Sequence, residues 1–153
     1  MSTDRFLANY FPKDMFYRFN DKIIELNKDH VRSEYTLPEE ADFYITLAND
    51  SKIIPASVLT EIAIQGGPVV LCKFYIVEKG NDVFSHDVYL LSSKTKFHEY
   101  PRAGDKLLVE GSVIRFKPNL LTMRCKVTIR TIDNRNVLEG EFTTKMIESK
   151  VNE

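Results

Sequence analysis

The chain has 153 residues, 43% of them hydrophobic and 28% charged, with only 6 Gly and 6 Pro. That composition excludes a disordered or collagen-like polymer, and the length suits a single domain over residues 1–153, with one core. Lys plus Arg number 21 against 22 Asp plus Glu, a net charge of -1, so no nucleic-acid or membrane partner is expected. No run of about 18 apolar residues is evident, and residues 1–11 lack the basic-then-apolar order of a secretory signal. Cys72 and Cys125 sit among apolar neighbours. Two thiols point to a reducing cytoplasm, with a disulfide between them as the alternative.

In chain order, residues 16–26 and 31–37 are strand candidates separated by 27–30, which places His30 in a solvated turn. Residues 55–77 read as a buried helix. Pro55 stands where a helix begins, and Leu59, Ile62 and Ala63 recur at helical spacing. Gly66-Gly67-Pro68 is expected to bend or break it, because Pro68 has no N–H to give, and the glycines allow close backbone approach. Residues 83–93 read as a strand that is apolar on both sides and therefore covered on both faces. It sets His86 beside Phe84 and Val88 as a satisfied interior or interface histidine.

Residues 102–105 form a turn. A strand over 106–117 follows and ends at Pro118-Asn119. From 121 to 131, Leu121, Met123, Cys125, Val127 and Ile129 alternate with Thr122, Arg124, Lys126, Thr128 and Arg130, the period of a half-buried strand. After the polar turn 133–136, a strand over 137–146 puts Leu138, Phe142 and Met146 opposite Glu139, Glu141 and Lys145. A helix followed by consecutive strands is α+β, with an antiparallel sheet wrapped around one long helix. The charge-rich end, 148–153, is expected to be a frayed tail.

Glu61 and Gln65 lie four apart, on one helix face. A carboxylate on so apolar a helix is costly unless paired or protonated, and burial suits it to acid–base work. Taken alone, such a residue more commonly faces solvent or is satisfied by a salt bridge. No two histidines or cysteines fall at metal-ligand spacing, so neither metal nor cofactor is expected. Tyr44 and Tyr100 are potential donors to substrate oxygens that more commonly serve packing.

Pro55-Ala56-Ser57-Val58-Leu59-Thr60-Glu61-Ile62-Ala63-Ile64-Gln65 resembles the central-helix signature of the hot-dog-fold 3-hydroxyacyl-acyl-carrier-protein dehydratases. There the helix opens with Pro-Gly, and an acidic residue and a Gln stand at the offsets of Glu61 and Gln65. Lys94-Thr95-Lys96-Phe97-His98-Glu99-Tyr100-Pro101-Arg102-Ala103-Gly104-Asp105-Lys106-Leu107 resembles the family's Lys-x-Lys-Phe … Pro-Gly-Asp-x-Leu stretch. The resemblance spans the core, about 9–147, and implies a hot-dog fold, a dimer, and an acyl-thioester tunnel at the subunit interface. Glu61 is then the catalytic acid, and Gln65, Ala56, Leu47 and Val58 meet substrate. Lys94, Lys96, His98 and Arg102, with Lys106 close by, read equally as a solvated turn or, since the resemblance sets them near the tunnel mouth, as a basic patch for an acidic carrier protein.

The family's loop His, which takes the C2 proton, falls on Leu47, and no His occurs between residues 31 and 85. Ala56 replaces the first helical Gly. Three functions stay open. The chain eliminates water from 3-hydroxyacyl thioesters of carrier protein or coenzyme A, as a dehydratase-like lyase of fatty-acid or polyketide-type synthesis. Alternatively it is a non-catalytic subunit, in a homodimer or a heterodimer with a His-bearing hot-dog partner. Or it is a thioesterase using Glu61.

Overall fold

A computed structural model describes residues 18–149. The start of the chain, the first two residues of the 16–26 strand candidate and the end of the expected tail (150–153) lie outside the described residues. The elements are β1 (Lys22–Leu26), β2 (His30–Thr36), β3 (Ile45–Thr46), β4 (Lys52–Ile53), α1 (Ala56–Gly66), α2 (Pro68–Glu78), β5 (His86–Phe97), β6 (Lys106–Lys117), β7 (Thr122–Thr131) and β8 (Asn136–Glu148). Six strands form one antiparallel sheet in the order β1-β2-β6-β7-β8-β5, and β3 and β4 make a separate small hairpin.

The alternation in β7 does what its period dictates. Met123, Cys125, Val127 and Ile129 are buried, while Arg124 and Lys126 are exposed. On β8, Leu138, Phe142 and Met146 face the same core. The two helices cover this face. Leu59, Ile62 and Ala63 of α1 share a cluster with Leu107, Val109, Val127, Ile129 and Phe142. Val70, Leu71, Cys72 and Ile76 of α2 share another with Ile23, Val31, Met123, Cys125 and Met146. Each fully buried Leu, Ile or Val contributes about 1.5–3 kcal/mol, which holds helix to sheet.

The helix breaks where Pro68 requires it. Pro55 is the N-cap of α1, Gly67 (φ -114, ψ -99) ends it, and Pro68 opens α2. At the break the glycines let the sheet come close. A Cβ on Gly66 would lie 2.8 Å from Ser33 Oγ and from Val109 Cγ1. Ser33 Oγ donates to Gly66 O at 3.2 Å. The stretch 56–78 is long and apolar enough by length and composition to cross a membrane, contrary to the expectation that no such run exists. Its most apolar window is 67% buried in the protein, the burial of a core helix.

Three further expectations are corrected. The strand read over 83–93 begins at His86 and runs on to Phe97. Its first residues are a turn, with Phe84 N–H donating to Asp82 Oδ1 and Ser85 N–H to Asp82 O. Nor is it covered on both faces: among the described residues it is an edge strand of the sheet, and Tyr89, Leu90, Leu91 and Phe97 are exposed. His30 is not in a solvated turn. It opens β2, with Nδ1 3.8 Å from Glu25 Oε1 and Nε2 3.7 Å from Glu110 Oε2. Residues 148 and 149, expected in the tail, are held: Glu148 pairs with His86, and Ser149 N–H donates to Ser85 O at 2.8 Å.

Candidate functional site

Helix α1 carries the polar pair. Val58 and Leu59 N–H groups donate to Pro55 O at 3.1 and 3.2 Å, closing the first turn and leaving Ala56 exposed at its start. One turn on, Glu61 is half-buried, and after another turn Gln65 is 4% exposed. Gln65 Nε2 donates to Glu61 Oε1 at 3.1 Å. Gln65 Oε1 accepts the Phe19 N–H at 2.8 Å. A backbone N–H requires an acceptor, so Phe19 fixes which way the Gln65 amide points and turns its NH2 toward the carboxylate. The sequence placed Glu61 and Gln65 on one face. It gave no sign of Phe19, which reaches them from 46 residues away.

Leu47, at the position of the family's His, lies in the β3–β4 hairpin and is 41% exposed. Leu47 N–H donates to Ser51 O and Asp50 N–H to Leu47 O, at 2.8 and 2.9 Å, so the loop closes on itself. Val58 is half-buried and packs against the core. The hairpin and the 98–103 segment enclose a depression of about 850 Å³, lined by Leu47, Asn49, Lys52, Ile53, Tyr100 and Arg102 among others. Glu61 is not among its lining residues. Tyr100 is therefore not a packing residue: it is 60% exposed in this depression. Tyr44 is a packing residue, with its hydroxyl donating to Pro38 O and its pKa raised by burial first and then by Glu39 and Asp105.

The expected basic patch does not assemble. Lys94 and Lys96 line a different depression, of about 340 Å³, with Lys126, Glu139 and Glu141. Their cross-strand partners are Glu141 and Glu139, so charges of both signs alternate there. His98 Nε2 lies 3.4 Å from Glu139 Oε1. Arg102 belongs to the larger depression. Lys106 pairs with Glu34 at 3.6 Å, because β6 lies beside β2. Lys94 and Lys96 thus stay together on β5, while Arg102 lines a different depression.

The other histidines have local partners. His86 Nδ1 lies 2.8 Å from Ser85 Oγ. Both cysteines are free and buried. Burial pushes the Cys72 thiol up to about 11 and the Cys125 thiol higher, so both stay protonated packing groups. Lys73, 2% exposed, donates to the carbonyls of Val83 and His86, and burial lowers its pKa. Among the described residues no group of three His, Cys, Asp or Glu side chains is placed to hold a metal ion.

An antiparallel six-stranded sheet packed on a central helix is the hot-dog fold, and this chain has it. No protein-family model and no curated protein sequence matches the chain. Solved structures do. It is similar to the dehydratase heterocomplex ApeI:P of Xenorhabdus doucetiae, at 13% identity and a TM-score of 0.73, over 94% of this chain and 91% of that one. It is similar to smu.793 of Streptococcus mutans UA159 bound to acetyl CoA, at 14% identity and a TM-score of 0.66, over 94% and 100%. A hypothetical thioesterase protein of Streptococcus pneumoniae TIGR4 with coenzyme A is also similar, at 14% identity and a TM-score of 0.63, over 98% and 100%. At these identities the likeness is one of fold.

Proposed function

We propose that this chain is an acyl-thioester-binding protein of the dehydratase type, with Glu61 as its own acid–base group and an imidazole contributed by a second hot-dog chain. The observation that carries the reading is the Gln65 Nε2–Glu61 Oε1 hydrogen bond on the core helix, held in orientation by Phe19. The similar structures support it, since they include a dehydratase heterocomplex and a protein bound to acetyl CoA.

In this reading the helix N-terminus at Ala56 polarises the thioester carbonyl and acidifies the C2 proton. The partner's imidazole takes that proton. Glu61, protonated, gives its own proton to the C3 hydroxyl, which leaves as water while the C2–C3 double bond forms. Gln65 then donates to the carboxylate left behind. Leu47 has no basic atom, so it cannot serve as the base. His30, His86 and His98 are held by other partners. Co-expression with hot-dog proteins from the same genome, followed by native mass spectrometry and an assay for enoyl thioester, tests this. The expected result is a heteromer whose activity is lost in Glu61→Gln. Full activity of the isolated chain, retained in Glu61→Ala, overturns it.

A second reading is favoured by the same lone carboxylate. With no imidazole beside it, Glu61 activates water against the thioester carbonyl and the chain is a thioesterase. Release of free thiol from acyl thioesters by the isolated chain, abolished in Glu61→Gln, separates this reading from the first.

A further inference from the structure

We propose that the outer face of the sheet, at the end carrying the β6–β7 turn, docks on an anionic lipid membrane, with a block of cations on the headgroups and Leu120, Ile147 and Tyr89 entering the interface. The proposal stands apart from the thioester chemistry and needs neither Glu61 nor a bound acyl chain.

Alternation builds the surface. Met123 and Cys125 of β7 pack in one cluster with α2, so Thr122, Arg124 and Lys126 face away from the helices. Strand register then sets their neighbours on that outer face. Lys117 and Lys145 flank Thr122, Arg115 lies opposite Arg124, and Glu141 lies between Lys126 and Lys94. The side chains of all six cations are exposed. Like charges directly across a strand pair are destabilising, so strand pairing disfavours Arg115 opposite Arg124, whereas an anionic partner favours it.

Glu141 is the one carboxylate inside this block. Its hydrogen bond with Arg124, then the charges of Arg124, Lys94 and Lys126, hold its pKa below the usual carboxylate value. Among the described residues Arg124 alone of the six cations makes an ion pair, with Glu141. The bordering carboxylates are Asp87 at the sheet end and Glu110 and Glu139 on the far side. Glu110 is engaged by Arg32 and His30, and Glu139 lies beside His98. With all of these and Lys96 included the cations still lead, seven to four, on a chain of net charge -1. A net charge near zero is a sum, and it hides a face that is not balanced.

Apolar side chains at the same end choose among anions. Leu120, 57% exposed, stands in the turn between Lys117 and Thr122. Ile147, 41% exposed, follows Lys145 on the outer face, and Tyr89, 51% exposed, lies opposite Lys145. Aliphatic groups beside cations suit the boundary of an anionic bilayer, which buries the former and attracts the latter. A nucleic acid calls for aromatic faces on which bases stack, and Tyr89 is the one aromatic residue within the block.

Co-sedimentation of the full chain with vesicles tests this. Binding is expected to phosphatidylcholine vesicles containing about one-third phosphatidylglycerol, and not to phosphatidylcholine alone. Raising salt from about 0.05 to about 0.5 M should release the protein, because the screening length shortens. Arg115→Gln/Lys126→Gln/Lys145→Gln should lower the partition coefficient about fiftyfold or more, and Leu120→Ser about threefold to tenfold. The three cations are exposed and a like-charge pair is relieved, so the triple variant should melt no lower than the wild type. Arg115→Ser/Lys126→Ser/Lys145→Ser gives a second version of the charge loss. Lys52→Gln, in the β3–β4 hairpin, is the control and should bind as the wild type does. Failure of the wild type to bind anionic vesicles overturns the proposal, as does equal binding of the wild type and both triple variants. Equal binding to neutral vesicles also overturns it. Capture by polyuridylic RNA or polyglutamate in preference to anionic vesicles, with Leu120→Ser neutral, overturns it as well and assigns the cations to a nucleic acid or an acidic protein.

Discussion

Gly111 on β6 and Gly67 at the helix break meet backbone to backbone: a Cβ added to Gly111 would lie 3.0 Å from Gly67 Cα and 3.1 Å from Val31 Cγ1. The sheet reaches the helix so closely here only because both positions lack side chains. Gly111→Ala is expected to push helix and sheet apart and to destabilise the protein by about 1–3 kcal/mol, the usual range for overpacking a core. Urea denaturation measures it. A useful control is Gly80→Ala, where nothing lies within 4 Å but φ is +86. Its cost of about 1 kcal/mol should come from backbone conformation alone. A neutral Gly111→Ala sinks the idea that this contact sets the helix-to-sheet distance.

Gln65→Leu removes both the donor to Glu61 and the acceptor of the Phe19 N–H. Losing a buried hydrogen bond of this kind costs about 1–3 kcal/mol, and denaturant melts should show it. Gln65→Glu keeps an acceptor for Phe19 but replaces the donor with a second carboxyl group. It is therefore expected to recover part of the stability while weakening any chemistry that runs through Glu61. Equal melting of all three proteins would mean that Phe19 does not depend on this side chain.

The phenol of Tyr35 gives the fold an alkaline limit. Burial, then the charge of Asp21 and the neighbouring Tyr44, push its pKa from 10.0 up to about 12. The folded protein therefore keeps a proton that the unfolded chain gives up near pH 10. This contribution is whole below pH 10 and is lost as pH rises toward about 12. Tyr35→Phe retains the edge-on contact with Phe19, whose centroid is 5.7 Å away, but has no proton to lose. The difference in unfolding free energy between wild type and Tyr35→Phe should be flat below pH 10 and then move in favour of the variant. A pH-independent difference rules out this phenol as the group responsible.

What the sequence disclosed follows from periodicity. In β7 alternate residues differ in polarity, and a period-two pattern with one wet face has a single solution. The helix break at Gly67-Pro68 was legible because proline has no donor. β5 misled for a physical reason: Tyr89, Leu90 and Leu91 are apolar on both sides, which reads as burial within a chain but equally describes an edge awaiting another chain. Two-residue strands such as β3 and β4 have no period to read, so the hairpin that carries Leu47 and Lys52 was invisible. The grip of Phe19 on Gln65 and the ion pair of Glu99 with Arg135 are long-range contacts with no sequence signature.

The same edge yields the last prediction. Among the described residues the strands at the ends of the sheet order are β1, with five residues, and β5, with twelve. A long edge offers a row of unpaired backbone groups, and apolar side chains beside it make pairing with another chain favourable. We therefore expect the isolated chain to associate in pairs along β5, and sedimentation to return the mass of two chains. Leu91, 57% exposed on β5, is the residue to test. Leu91→Lys should raise the monomer fraction, because each pairing would bury a charge. Leu120 is equally exposed at 57% but lies in the turn before β7, away from that edge. Leu120→Lys should leave the mass unchanged, which separates loss of the edge contact from a general effect of added charge. A monomeric wild type, or a pair dissolved by Leu120→Lys and untouched by Leu91→Lys, would place the interface somewhere other than β5.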